Sequence, residues 1–146
     1  MAKDPEIKEI ETAIIDAIKT GIPAFKTTRG YNGDFEAVTE ETVSTIIKLF
    51  PAALVIYDGS GIERINNRLQ YTASFAVILA AKSLRGEADS TMRQGLYDLL
   101  EQVREKLDKN KLGLAISSLL IMRERLLFNS PVMSVYAQEY QTTFNI

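Results

Sequence analysis

The chain has 146 residues, 46% of them hydrophobic, with 17 basic and 19 acidic side chains and a net charge of −2. It contains neither cysteine nor histidine, which excludes disulfides, thiol nucleophiles, Ser-His-Asp and Cys-His catalysis, and His- or Cys-ligated zinc. Its basic residues are scattered rather than clustered, so no cationic face is available for sequence-specific nucleic-acid binding. No stretch approaches the ~20 apolar residues of a membrane-spanning helix. Length and apolar content suit one domain, expected over residues 1–146, that folds without metal or disulfide. The charged start, Met1-Ala2-Lys3-Asp4, carries no apolar leader, so synthesis in a cytosol is expected.

The first predicted element is a helix. Asp4 is placed to cap it and Pro5 suits the first helical position. Ile7, Ile10, Ile14, Ala17 and Ile18 then recur at helical spacing, and Gly21 with Pro23 ends the run. Residues 24–38 read as a strand or extended loop, with Asn32-Gly33 a tight-turn signal. A second helix is expected from Thr39, with Val43, Ile46, Ile47 and Phe50 as its apolar stripe and Pro51 as its stop.

Ala53-Leu54-Val55-Ile56-Tyr57 follows as a short buried strand, with Asp58-Gly59-Ser60-Gly61 expected to close it in a turn. Residues 69–82 carry the clearest alternation, Leu69, Tyr71, Ala73, Phe75, Val77 and Leu79. The run exceeds the usual strand of about 5–6 residues, so it is expected to bend or to project beyond the sheet. A third helix is expected from Ser90 or Thr91, where Thr91 and Gln94 match a capping box. Met92, Leu96, Leu99, Leu100, Val103 and Leu107 would form its buried face, and Asp108-Lys109-Asn110-Lys111 its end. Two strands, 118–128 and 132–144, are joined at Asn129-Ser130-Pro131. The sum is an α+β fold: a mostly antiparallel sheet with about three helices packed on it.

Five groups of residues are candidate sites. Gly59-Ser60-Gly61 follows a strand, where phosphate loops sit, but the third glycine of the dinucleotide pattern and the Gly-Lys-Ser/Thr of the P-loop are missing. A plain turn explains it better. Asp58 and Glu63 supply two oxygen ligands where Ca²⁺ takes about 6–8. Glu101 and Glu105 lie one helical turn apart beside Arg104 and Lys106, as on a solvated charged face.

Arg123-Glu124-Arg125, set between Leu119-Leu120-Ile121 and Leu126-Leu127-Phe128, has two readings of equal weight. It is either a subunit contact or the guarded outer edge of a sheet. The tyrosine stripe Tyr136, Gln138, Tyr140 and Thr142 reads as a face packed under a helix, with a contact surface as the alternative. The candidate subunit-interface set is Arg29, Tyr31, Asp58, Glu63, Arg64, Arg68, Arg123 and Arg125. No catalytic, cofactor-binding or metal-binding residue is expected.

Three stretches resemble the Mu-like prophage tail proteins related to phage tail terminators. They are Ile10-Glu11-Thr12-Ala13-Ile14-Ile15; Phe50-Pro51-Ala52-Ala53-Leu54-Val55-Ile56-Tyr57-Asp58-Gly59 with the strand holding Phe75-Ala76-Val77 and Ala80-Ala81-Lys82-Ser83; and Ser134-Val135-Tyr136-Ala137-Gln138-Glu139-Tyr140. The resemblance covers most of the chain in order, and none of its motifs carries a chemical signature. It implies a tail-terminator-like fold and a ring of several copies, often a hexamer, capping the tail tube and meeting head-completion proteins. It also implies neither enzyme activity nor a cofactor, assembly in the bacterial host cytoplasm, and residence in the virion tail. The alternatives are another tail or injection-machine component, such as a baseplate or tube-adaptor protein, and a small carboxylate-based enzyme or ligand-binding domain around Asp58 and Glu63.

Overall fold

The computed structural model describes residues 6–33, 45–82, 88–130 and 133–145, with side chains at all of these except 47 and 88–94. Its elements in chain order are α1 (Ile7–Gly21), β1 (Thr27–Gly30), a 3-10 turn (Ile47–Leu49), β2 (Ala52–Ile65), β3 (Arg68–Lys82), α2 (Ala88–Leu107), β4 (Leu120–Asn129) and β5 (Met133–Asn145). The five strands form one mixed sheet in the order β1-β2-β3-β5-β4. Only β1 and β2 run parallel; the remaining ladders are antiparallel.

The expectation of an α+β, mostly antiparallel fold therefore holds, with a correction to the helix count. Two α-helices stand among the described residues. The helix expected from Thr39 falls mainly outside them; its described end is helical at 45–46 and passes into the 3-10 turn before Phe50 and Pro51.

Both helices cover one face of the sheet. Ile10, Ile14 and Ile18 of α1 and Leu96, Leu99, Leu100, Val103 and Leu107 of α2 pack on Val55, Phe75, Val77, Leu79 and Tyr140. These are alternate residues of their strands, so period-2 and period-3.6 patterns meet in one core. A smaller core lies on the far face, where Phe50, Leu54, Ile78, Met133 and Val135 cluster with Tyr31, Ile46 and Ile56. Burial on both faces explains why residues 76–81 are apolar without interruption.

Helix boundaries differ from the sequence expectation at both starts. The residue before α1 is Glu6, with no side-chain capping bond; Asp4 and Pro5 lie outside the described residues. α2 begins at Ala88, so Thr91 is inside the helix rather than its cap. Its end falls where expected. Asn110 closes it, donating from Nδ2 to the Lys106 carbonyl at 2.9 Å and accepting from the Leu112 N–H at 2.8 Å. Asp108 then accepts the Ile121 N–H at 3.0 Å, which ties the helix end to the start of β4.

The largest correction concerns Asp58-Gly59-Ser60-Gly61. These residues do not turn. Asp58 is a β-bulge between Tyr57↔Phe75 and Gly59↔Ser74, after which β2 continues to Ile65. Gly59 sits at φ 107°, a conformation open to glycine and costly for other residues. The reversal comes later, at Asn66 (φ 49°) and Asn67 (φ 65°), joining Ile65 directly to Arg68. Two left-handed residues in a two-residue loop make a type I′ turn, for which Asn-Gly is the preferred pair. Asn67→Gly is expected to leave the fold intact and raise stability by up to about 1 kcal/mol. A urea midpoint that falls instead would contradict this turn geometry.

The long strand behaves as the sequence predicts. β5 pairs with β3 as far as Gln70↔Asn145, so the rungs Arg64↔Leu69 and Ile65↔Arg68 and the Asn66-Asn67 loop pass beyond it. The hairpin end from Gly61 to Gln70, which outruns β1 and β4, forms an arm. Every residue from Gly61 to Arg68 is exposed.

Candidate interaction surface

Two surfaces stand out because they expose apolar side chains. The first is β4, an edge strand paired only to β5. Of the nine large hydrophobic residues exposed among the described ones, five lie on it: Leu120, Met122, Leu126, Leu127 and Phe128. The second is the arm, which exposes Ile62 and Ile65. Clustered exposed apolar groups mark protein contacts more often than isolated ones do.

β4 is held in an irregular shape. Met122 and Leu127 are bulged out of the register with β5, so neither contributes a regular rung to the ladder. Such breaks hinder the addition of a further strand along the free edge. Between the bulges, Glu124 faces the helices while Arg123 and Arg125 face the far side, and Arg125 lies 3.7 Å from Glu139. The expected sharing of one face by Arg123 and Arg125 is seen.

Beneath Glu124 lies a buried polar network. Gln138 of β5 is fully buried and donates from Nε2 to the Leu100 carbonyl at 2.8 Å and to Glu124 Oε1 at 2.7 Å. Its Oε1 accepts from the Tyr140 hydroxyl at 2.8 Å. Arg104 of α2 stands 3.9 Å from Glu124. Burial pushes the Tyr140 phenol above its usual range, with Asp108 and Glu124 adding to the shift and Arg104 opposing it, so the hydroxyl is a proton donor at neutral pH. The tyrosine stripe is thus a face packed under a helix: Tyr136, Gln138, Tyr140 and Thr142 all lie on the helix side.

The eight candidate interface residues do not form one site. Arg29 lies in β1, donating to the Gly30 carbonyl at 3.0 Å. Tyr31 follows β1 and packs against the far-face core. Asp58 is at the bulge, and Glu63, Arg64 and Arg68 are on the arm. Arg123 and Arg125 are on the opposite edge. What sequence reading missed were Leu120, Met122, Ile62 and Ile65, which alternation alone does not place on a solvent face.

Among the described residues no group of three or more acidic side chains could hold a metal ion. An apolar groove of about 480 Å³ opens between Phe50, Pro51, Ala81 and Lys82 on the sheet side and Gly95, Leu96, Asp98, Leu99 and Gln102 on α2. None of residues 58–64 lines it. No described helix is long and apolar enough to cross a membrane.

Comparison with known proteins then identifies the lineage. Residues 6–145 match the family described as Bacteriophage Mu, Gp37. The chain belongs to this family. The match spans all eight elements, from α1 to the end of β5, and bears out the resemblance to Mu-like phage proteins. No curated protein sequence matches the chain. Among solved structures, a chain of the "Virion of native gene transfer agent (GTA) particle" shares the fold, with a TM-score of 0.61 and 8% identity over 94% of this chain and 95% of that one.

Proposed function

We propose that this Mu-like phage structural protein is a tail terminator or completion subunit, forming a ring that caps the tail tube and meets head-completion proteins. The observation that carries the reading is the family match over residues 6–145. The shared fold with a chain of a gene transfer agent virion supports a role in a particle.

The physical features agree with a structural role. A ring repeats one heterologous contact, which needs two different surfaces on each subunit. The apolar edge β4 and the projecting arm are two such surfaces. Arg123 and Arg125 on the first, and Glu63, Arg64 and Arg68 on the second, are the proposed contact residues. Absence of histidine and cysteine leaves few catalytic options, and a net charge of −2 gives little grip on DNA passing a tail lumen.

Deleting the gene from its prophage tests the reading. The expected outcome is tails of irregular length that fail to join heads, restored by supplying the protein in trans. Tails of normal, uniform length joined to heads would overturn it.

A further inference from the structure

The two exposed apolar surfaces cannot meet within one copy. β5 and β3 separate β4 from β2 in the sheet, and the tip of the arm, residues 64–69, lies beyond the last β3–β5 rung. Any contact between them is therefore between copies: reciprocated within a pair it would close a two-fold dimer, whereas passed on from copy to copy it is heterologous and builds a ring.

The far faces of the two elements match. On the arm, Glu63 and Ile65 lie on one face, two residues apart and both exposed. On β4, Leu120 pairs with Gln141 and Arg123 with Glu139. The bulge at Met122 thus sets Leu120 and Arg123 two rungs apart on one face. Both pairs are spaced by about 6.6 Å, twice the rise of a strand residue. Each presents an apolar group and, two rungs on, a charged one of opposite sign, Glu63 on the arm and Arg123 on β4; Arg68 lies opposite Ile65 on the arm's face, and Glu139, opposite Arg123, is engaged by Arg125. The ion pairs that Glu124 and Arg125 make, with Arg104 and Glu139, involve neither Glu63 nor Arg123.

We propose that the β2–β3 arm of one copy docks on the far face of β4 of a second copy, with Ile65 against Leu120 and Glu63 against Arg123. The bulges break the free edge of β4, so the contact is made by side chains rather than by adding a strand. The opposite charges set the register of the arm, and the apolar pair supplies burial. Repeated head to tail, the contact closes a ring. The inference rests on the ring reading above and names the surfaces that build it.

The absence of cysteine allows a direct test. Ile65→Cys and Leu120→Cys, singly and together, are introduced into the prophage gene, and particles are assembled and then oxidised. Both positions are exposed, so neither change removes core packing. The double variant is expected to give a ladder of covalent multimers extending past the dimer, and each single variant none. A double variant that stops at the dimer, stays monomeric, or links to a different virion protein overturns the contact.

Charge reversal gives a second readout. Glu63→Arg and Arg123→Glu are each expected to lower particle yield by about tenfold or more, with recovery in the double variant. Additive losses overturn the assigned pair. A ladder accompanied by normal tails in the deletion strain refutes the tail reading and keeps the contact. Defective tails without a ladder do the reverse.

Discussion

Truncating Phe75 to alanine is expected to lower folding stability by about 3–5 kcal/mol. Phe75 lies midway along β3, the strand flanked by β2 and β5, and is fully buried on the helix face. Its ring meets Tyr57 with centroids 5.4 Å apart at 49°, and it belongs to the same core as Ile14 and Val103. The neighbours are anchored in three paired strands and two helices, so they have little freedom to collapse into the space left behind. Domains of this size hold about 5–15 kcal/mol in total, so the variant would sit close to unfolding at ordinary temperature. Urea denaturation with a loss under about 1 kcal/mol would contradict the packing described.

Gln138→Leu is expected to cost about 2–4 kcal/mol. The leucine fills much of the same volume but offers no acceptor, so the buried Tyr140 hydroxyl loses its partner. Glu124 also loses the amide donor that ties β4 to β5 beneath α2. Tyr140→Phe alone is a milder change, about 1 kcal/mol, since it removes the donor together with its need for a partner. Combining the two is expected to cost less than their sum, because an apolar pair replaces a half-satisfied polar one. Full additivity in a double-mutant cycle would show that Gln138 and Tyr140 act independently.

The same network sets an alkaline limit. The Tyr140 phenol is raised in the folded state by burial, then by Asp108 and Glu124, whereas the unfolded chain ionises it near pH 10. The native state therefore holds this proton more tightly. Its contribution is fully present below about pH 10 and declines as pH rises further. Tyr140→Phe is expected to flatten stability loss above that pH, measured as the urea midpoint against pH. An unchanged alkaline slope would remove Tyr140 as its source.

Much of the fold was legible in the sequence because local and global patterns agree. Ile10, Ile14 and Ile18 repeat at helical spacing and all are buried; Tyr71, Ala73, Phe75, Val77 and Leu79 alternate and all join the helix-face core. β2 was legible only in its first half. Gly59-Ser60-Gly61 has the composition of a turn, but a glycine in a strand also marks a bulge, and the ladder with Gln70–Ser74 holds the segment extended. Asn66-Asn67 is a weaker hairpin signal than Asn-Gly, so the true reversal was hidden.

The candidate site was legible only in fragments. Arg123 and Arg125 share a face as their spacing requires, yet sheet order, which pairing at a distance decides, separates them from Glu63 and Arg64. Exposure of Leu120, Met122 and Leu126 follows from β4 being an edge. A hydrophobic run carries no such information, because buried and exposed apolar strands read alike.

The most direct measurement of the central claim is the position of the protein on intact particles. Antibody against the purified chain, visualised by gold labelling in the electron microscope, is expected to mark the head-proximal end of each tail. Label confined to the tail tip, or particles that carry none, would contradict the account.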